Sequence, residues 1–179
     1  MTTFTIRSAH IAEKAAMNAL IRKSGLGLAA GFYSDEQAAA ITRDVFGVDS
    51  ELVEDGTYFV IEDGGMMVAC GGWSRRATDF GGDHAKSGVD RLLDPATEPA
   101  RIRAFFVDPD MARRGLGTML LEHCTDQARA AGFMALELVS TMPGEPLYLR
   151  HGFSPLEQIT LPLSGGVSVA LTRMHKKIA

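Results

Sequence analysis

The chain has little cysteine: Cys70 and Cys124 are the two in 179 residues, far apart and forming no C-x-x-C pair. That excludes a disulfide framework and a dithiol redox motif, and two free thiols in a reduced, cytoplasmic protein is the simplest reading. Positive charge is also scarce. The 18 Lys and Arg are outnumbered by 22 Asp and Glu, for a net charge of −4. Nucleic-acid and membrane-surface binders carry a basic excess, so neither partner is expected. No apolar run is long enough to span a bilayer, Met66–Cys70 being merely strand-length. The opening Met1-Thr2-Thr3-Phe4 lacks the charged and apolar regions of a secretory signal. The histidines are scattered, so no Ser-His-Asp arrangement can be argued. Asp79, Asp83 and His84 form a loose polar cluster without the second His or helical spacing of a metal site, and no metal is expected.

Apolar residues make up 46% of the chain, enough for a sizeable core, and one domain over residues 1–179 is expected. Phe4–Arg7 has strand character. Ser8 can cap a helix to about Lys23, with Ala12, Ala16, Met17, Leu20 and Ile21 inward. Ser34-Asp35-Glu36-Gln37 reads as a capping-box start for a second helix, to about Phe46. Thr57–Glu62 and Met66–Trp73 form a hairpin turning at Asp63-Gly64-Gly65. A polar connection from about Ala77 to Pro99 follows, with a short helical piece at Val89–Leu93; a connection that long is usually functional or disordered. Ile102–Val107 and the nearly continuous apolar run Phe133–Val139 are strands, the latter read as buried on both faces. A short helix near Pro146–His151 precedes two last strands, Leu156–Leu161 and Val167–Met174.

The densest chemistry lies in Phe105-Phe106-Val107-Asp108-Pro109-Asp110-Met111-Ala112-Arg113-Arg114-Gly115-Leu116-Gly117-Thr118. It is an apolar strand, a Pro-broken turn, a paired-Arg and double-Gly loop, and a helix start. The helix has its apolar stripe at Leu116, Met119, Leu120, Cys124, Ala128 and Ala131. A glycine loop feeding a helix N-terminus offers backbone N–H groups to an anion, and adjacent arginines add charge-assisted hydrogen bonds. This is a diphosphate-binding loop. It is not a P-loop, because Thr118 follows Gly117 with no Lys. A dinucleotide loop fits poorly: the third glycine position is Leu120, and the Asp108–Arg114 segment is too long for that tight turn.

The segment resembles the acyl-CoA-binding motif of the GCN5-related N-acetyltransferases. A second block, Pro146-Leu147-Tyr148-Leu149-Arg150-His151-Gly152-Phe153, resembles that family's later Tyr-x-x-x-Gly-Phe motif, in the right order and spacing. The resemblance implies an α/β (α+β) fold: a mixed, mostly antiparallel sheet of about seven strands with flanking helices, whose two central strands splay apart for the pantetheine arm. It implies acetyl-CoA as co-substrate and a primary amine of a small or amino-acid-like molecule as acceptor. Homodimers are common in the family.

The same resemblance assigns roles. Backbone groups of Phe105, Phe106 and Val107 pair with the pantetheine, and N–H groups from Arg113 through Arg114, Gly115 and Gly117 to Thr118 hold the diphosphate. Val107 N–H polarises the thioester carbonyl. Tyr148 is the acid for the departing thiolate. Thr141 stands where the family often has Asn, its hydroxyl still able to reach the pantetheine. Ala112 replaces the family's frequent Gln or Arg, which leaves the phosphates to the paired arginines. The strand where some relatives carry a catalytic Glu has Arg101 and Arg103 instead, facing one side. Glu98, Glu137 and Glu145 are the carboxylates available as a base, and none stands out. Arg103 and Trp73 are candidate acceptor contacts, with a surface ion pair and plain core packing as their competing readings. Two other classes compete: a non-catalytic acyl-CoA-binding regulatory module, motivated by the missing Glu, and an NAD-dependent enzyme.

Overall fold

The computed structural model describes residues 3–88 and 90–179. Among these, β1 (Phe4–Ser8), β2 (Tyr58–Asp63), β3 (Met66–Ser74), β4 (Ala100–Val107), β5 (Ala135–Thr141), β6 (Ser154–Pro162) and β7 (Ser168–Lys177) form one sheet in the order β1-β2-β3-β4-β5-β7-β6. Every neighbouring pair is antiparallel except β4–β5, which is parallel. The helices are α1 (Lys14–Gly27), α2 (Asp35–Asp44), α3 (Ser50–Glu54), α4 (Leu116–Ala130) and α5 (Glu145–Arg150). The mixed, mostly antiparallel sheet of seven strands is as expected.

Period-two alternation explains how the sheet is covered. In β2, Phe59 and Ile61 join the core under α4, built on Leu116, Leu120, Leu121 and Cys124. Tyr58 and Val60 join the opposite core, with Met17, Leu20 and Ile21 of α1. A third cluster packs Ile41 and Val45 of α2 and its end onto Val169 and Leu171 of β7. The capping box predicted at Ser34 is present, Ser34 Oγ accepting from Gln37 N–H.

The centre of the sheet opens. The β4–β5 pairing is limited to Ala100 with Leu136 and Arg101 with Glu137, after which the strands part. β4 also carries a bulge: between the pairs Gly72–Arg103 and Cys70–Phe106, β3 has only Gly71 where β4 has Ala104 and Phe105. Ala104 takes a positive φ of 53° there, and its carbonyl accepts from the buried Tyr58 hydroxyl at 2.9 Å.

Several expectations are corrected. Ser8 ends β1 instead of capping a helix; a 3-10 turn at Ile11–Glu13 intervenes and α1 runs on to Gly27. That turn shifts the helix phase, so Ala12 and Ala16 are exposed while Ser24 is buried. The five-residue α3, capped by Asp49, was not foreseen. No helix forms over residues 90–93, where Leu92 makes a bridge with Arg76; Val89 lies outside the described residues. β5 starts at Ala135, two residues past Phe133, because Phe133 N–H closes the end of α4 by donating to Ala128 O. β5 is also less enclosed than expected, with alternate residues only half-buried.

Candidate active site

A cavity of about 730 Å³ runs from the N-terminus of α4, through the β4–β5 opening, to the loops above α1 and α2. At one end, Asp108-Pro109-Asp110-Met111 makes a 3-10 turn, and Arg113 (φ 63°) and Gly115 (φ 83°) both adopt left-handed backbone. Such turns direct successive N–H groups to one side, the geometry of an anion nest. Gly115 is the N-cap of α4 and supplies no side-chain cap, so the first N–H groups of the helix stay available. Gly117 lets α5 approach closely: a Cβ there would sit 2.9 Å from Leu147 Cδ2, and that side chain would have to shift. Lys23 of α1 bonds Asp108 and Asp110 at 2.7 and 2.8 Å and holds the turn against α1.

The loop residues do not contribute alike. Arg113, Gly115, Gly117 and Thr118 line the cavity. The Arg114 side chain turns away: its guanidinium lies 5.1 Å above the Phe4 ring and donates to Met111 Sδ. Thr118 Oγ1 is 3.0 Å from His151 Nε2. Arg150, which the sequence reading passed over, lines the cavity from α5 and adds a second cation.

At the middle of the cavity stand β4 and Tyr148. Phe105 lays its ring against β3 because Gly71 has no side chain; a Cβ there would meet the ring at 2.5 Å. The Phe105 and Tyr148 rings are 6.2 Å apart, and Phe153 supports Tyr148 from its other side at 5.6 Å. The Phe106 side chain instead points to the α1 side and meets Phe46 edge-on at 5.0 Å. Val107 N–H donates to Ser24 Oγ at 3.2 Å. Ser24 also lines the cavity, and its place on the inward stripe after Leu20 and Ile21 is the signal that would have found it. Tyr148 is buried, and burial pushes its phenol well above the usual tyrosine value, the Cys124 thiol adding to the effect. Thr141 lines the cavity from the end of β5.

The remaining candidates lie elsewhere. Trp73 is a correction: it is 2% exposed, packs edge-on against Phe133 on the α4 side, and does not line the cavity. Arg103 does not line it either, and it is no surface ion pair. Its guanidinium bonds Asp49 at 3.0 Å, both side chains 1% exposed, and donates to the carbonyls of Thr78 and Gly81. It therefore anchors the Thr78–Gly82 segment, whose Phe80, Gly81 and Gly82 form a cavity wall. Lys86 bonds the same Asp49 carboxylate, and Asp83 bonds Lys14 and Ser50, so the polar connection is also tied down at these two residues. Asp79, Asp83 and His84 consequently do not converge, and no group of three potential metal ligands occurs among the described residues.

The three carboxylates considered as bases are occupied outside the cavity: Glu98 by Arg91, Glu137 by Arg173, and Glu145 by Thr172. Asp79 does reach the cavity. Arg173 and Arg101, each 2.9 Å away, hold it below the usual carboxylate range against the effect of burial.

A left-handed loop at the N-terminus of α4, a gap where β4 and β5 part, and a buried phenol at its middle share one elongated cavity. The model of the acetyltransferase (GNAT) family matches residues 27–153, and the chain belongs to that family. That family is one of acetyltransferases. A GCN5-related N-acetyltransferase from Rhodopseudomonas palustris superposes with a TM-score of 0.73 at 21% identity, over 99% of this chain and 98% of that one. The PaiA N-acetyltransferase of Thermoplasma acidophilum, solved with coenzyme A, gives 0.67 at 14% identity over 98% and 99%. The tRNA(Met) cytidine acetyltransferase TmcA of Aeropyrum pernix is 36% identical over 83 residues, 41% of this chain. The chain spans 11% of the length of that curated relative. Among the described residues no helix is long and apolar enough to cross a membrane.

Proposed function

We propose that the protein transfers the acetyl group of acetyl-CoA to the primary amine of a small molecule, by direct attack within a ternary complex. The observation that carries this reading is one continuous cavity that joins the phosphate nest, Val107 and Tyr148 and extends to a lobe lined by Leu28, Phe32, Ile41, Val45, Phe46 and Phe80. The nest and Arg113 hold the diphosphate, and the backbone of Phe105–Val107, where β4 has parted from β5, pairs with the pantetheine. The amine nitrogen attacks the thioester carbon, and the carbonyl oxygen takes the Val107 N–H in place of Ser24 Oγ. As the C–S bond breaks, the thiolate takes the Tyr148 proton, which solvent later restores. The proton lost by the amine goes to water.

No free carboxylate is needed as base if the amine arrives neutral. The apolar lining at Leu28, Ile41, Val45 and Phe46 disfavours an ammonium and lowers its pKa. Asp79, held ionised by two arginines, is a poor proton acceptor. A tRNA acceptor, named for the Aeropyrum protein, is disfavoured by the net charge of −4. The reading includes a cytoplasmic location and a homodimer. Thiol release from acetyl-CoA with a panel of amines tests it. Turnover on at least one amine is expected, and tight coenzyme A binding with turnover on none would instead make the protein a binding module.

A further inference from the structure

We infer that the acceptor carries an uncharged, apolar body, an alkyl or arylalkyl amine; this rests on the acetyl-transfer reading above. The inference comes from an account of the polar groups in the acceptor lobe. Tyr33 is the tyrosine there, and its hydroxyl is used twice, donating to Ala170 O at 2.8 Å and accepting from Met142 N–H at 3.0 Å. Both Asp79 oxygens are taken by Arg101 and Arg173. Gly81 O accepts from Arg103, and Gly82 N–H donates to Val45 O. Ser24 Oγ accepts from Val107 N–H in the free protein; the hydroxyl freed when acetyl-CoA takes that N–H is neutral and stands at the reacting centre, beside the attacking amine.

What the lobe has left is hydrocarbon: Leu28, Phe32, Ile41, Val45, Phe46 and Phe80. Phe32 is 44% exposed although it lines the cavity, an apolar surface that an apolar ligand would cover. Among the described residues lining the lobe there is no unpaired cation for an acceptor carboxylate and no unpaired anion for a second ammonium. The cations that do line the cavity, Arg113 and Arg150, stand at the phosphate end. An amino acid or polyamine would have to desolvate a charge with nothing to receive it. The wall cannot easily adapt, because Arg103 and Asp49 fix the segment that bears Phe80.

The test is kcat/KM for n-alkylamines from propylamine to octylamine and for phenethylamine. Glutamate, lysine, spermidine and a short peptide with a free N-terminus serve as comparators. At about 0.8 kcal/mol per buried methylene, kcat/KM should rise roughly fourfold per carbon until the lobe is full. The charged comparators should fall roughly 100-fold or more below hexylamine. Phe32→Ala, at an exposed position where folding is not at stake, should lower kcat/KM for hexylamine about tenfold and leave acetyl-CoA affinity unchanged. A flat alkyl series, or a comparator as the best acceptor, overturns the apolar-acceptor inference and leaves acetyl transfer standing. Release of thiol with no amine at all overturns the acetyl-transfer reading itself, and the inference with it.

Discussion

Replacing Tyr148 with Phe isolates the acid step. The ring is held by Phe105 and Phe153, and both contacts survive the change. No hydrogen bond reaches the hydroxyl from the described residues, so its loss should shift stability by under about 0.5 kcal/mol, or roughly 1–2 °C in Tm for a chain of this size. Acetyl-CoA affinity should be equally indifferent. The rate should not be. General acids contribute about 10²–10⁴ in rate. The local environment selects within that range. Burial raises the phenol, which alone would make it a reluctant donor to a thiolate of ordinary pKa near 8.5. Yet buried thiols in this protein are raised as well: Cys70 is pushed up to about 12, and Cys124, in the same core as Tyr148, is pushed up by burial too. A thiolate forming beside Tyr148 meets the same desolvation, so donor and acceptor draw closer in pKa. We expect kcat for Tyr148→Phe to fall roughly 10²–10³-fold, about 3–4 kcal/mol of barrier. Because the phenol is shifted upward, it keeps its proton as the pH rises, and the wild-type rate should show no loss of this acid up to about pH 9. The assay is steady-state thiol release at saturating amine, with a single-turnover measurement to establish that chemistry limits kcat. A kcat within threefold of wild type under that condition would refute the acid role.

Arg103→Met removes one partner of a buried ion pair, normally a loss of about 3–5 kcal/mol. Because Lys86 still faces Asp49, we expect the low end, about 3 kcal/mol, read as a fall of roughly 6–12 °C in Tm. A rise in acceptor KM with unchanged acetyl-CoA Kd should accompany it, and a shift under about 2 °C would mean the pair does not anchor the lobe wall. Ser24→Ala leaves Val107 N–H without its partner in the free protein, at a cost of about 1 kcal/mol that bound acetyl-CoA would recover. Calorimetry should therefore show acetyl-CoA binding up to about fivefold tighter, and weaker binding would count against the exchange of partners at Val107. Arg113→Ala should weaken acetyl-CoA binding at least about tenfold, as expected for a charge-assisted phosphate contact. Arg114→Ala, whose side chain lies over Phe4, should change it less than about twofold, and equal effects would contradict the division between the two.

The parts of the site legible in the sequence are those whose chemistry is local. Gly115, Gly117 and Tyr148 sit in short blocks where backbone geometry and residue type speak together, and the hairpin and the Ser34 cap follow from neighbours a few positions away. Arg103 was illegible because its partner Asp49 is 54 residues distant. Strand parity correctly put Arg101 and Arg103 on one side, where both reach the Thr78–Gly81 segment. Parity could not say that the segment, not a ligand, receives them. The bulge at Ala104 has no glycine to announce it, so the diverging roles of the Phe105 and Phe106 side chains could not be read. The acceptor lobe was the least legible part, since its wall comes from loops whose side chains meet only after the sheet forms.

The cleft follows from how β4 spends its hydrogen bonds. A central strand normally pairs on both edges, but β4 keeps only two residue pairs with β5. Beyond Arg101 the backbone of β4 finds other partners, because unpaired buried backbone is costly. The bulge sends Ala104 C=O to the Tyr58 hydroxyl, and α1 runs one turn past Lys23 to bring Ser24 to Val107 N–H. The first is 2.9 Å long and uses the hydroxyl of Tyr58, itself fully buried. The second is 3.2 Å long, opens onto the cavity, and uses a hydroxyl that can turn to another acceptor. On the proposed chemistry the thioester carbonyl takes the Val107 N–H, and the Ser24→Ala experiment therefore probes the site rather than merely the packing of α1.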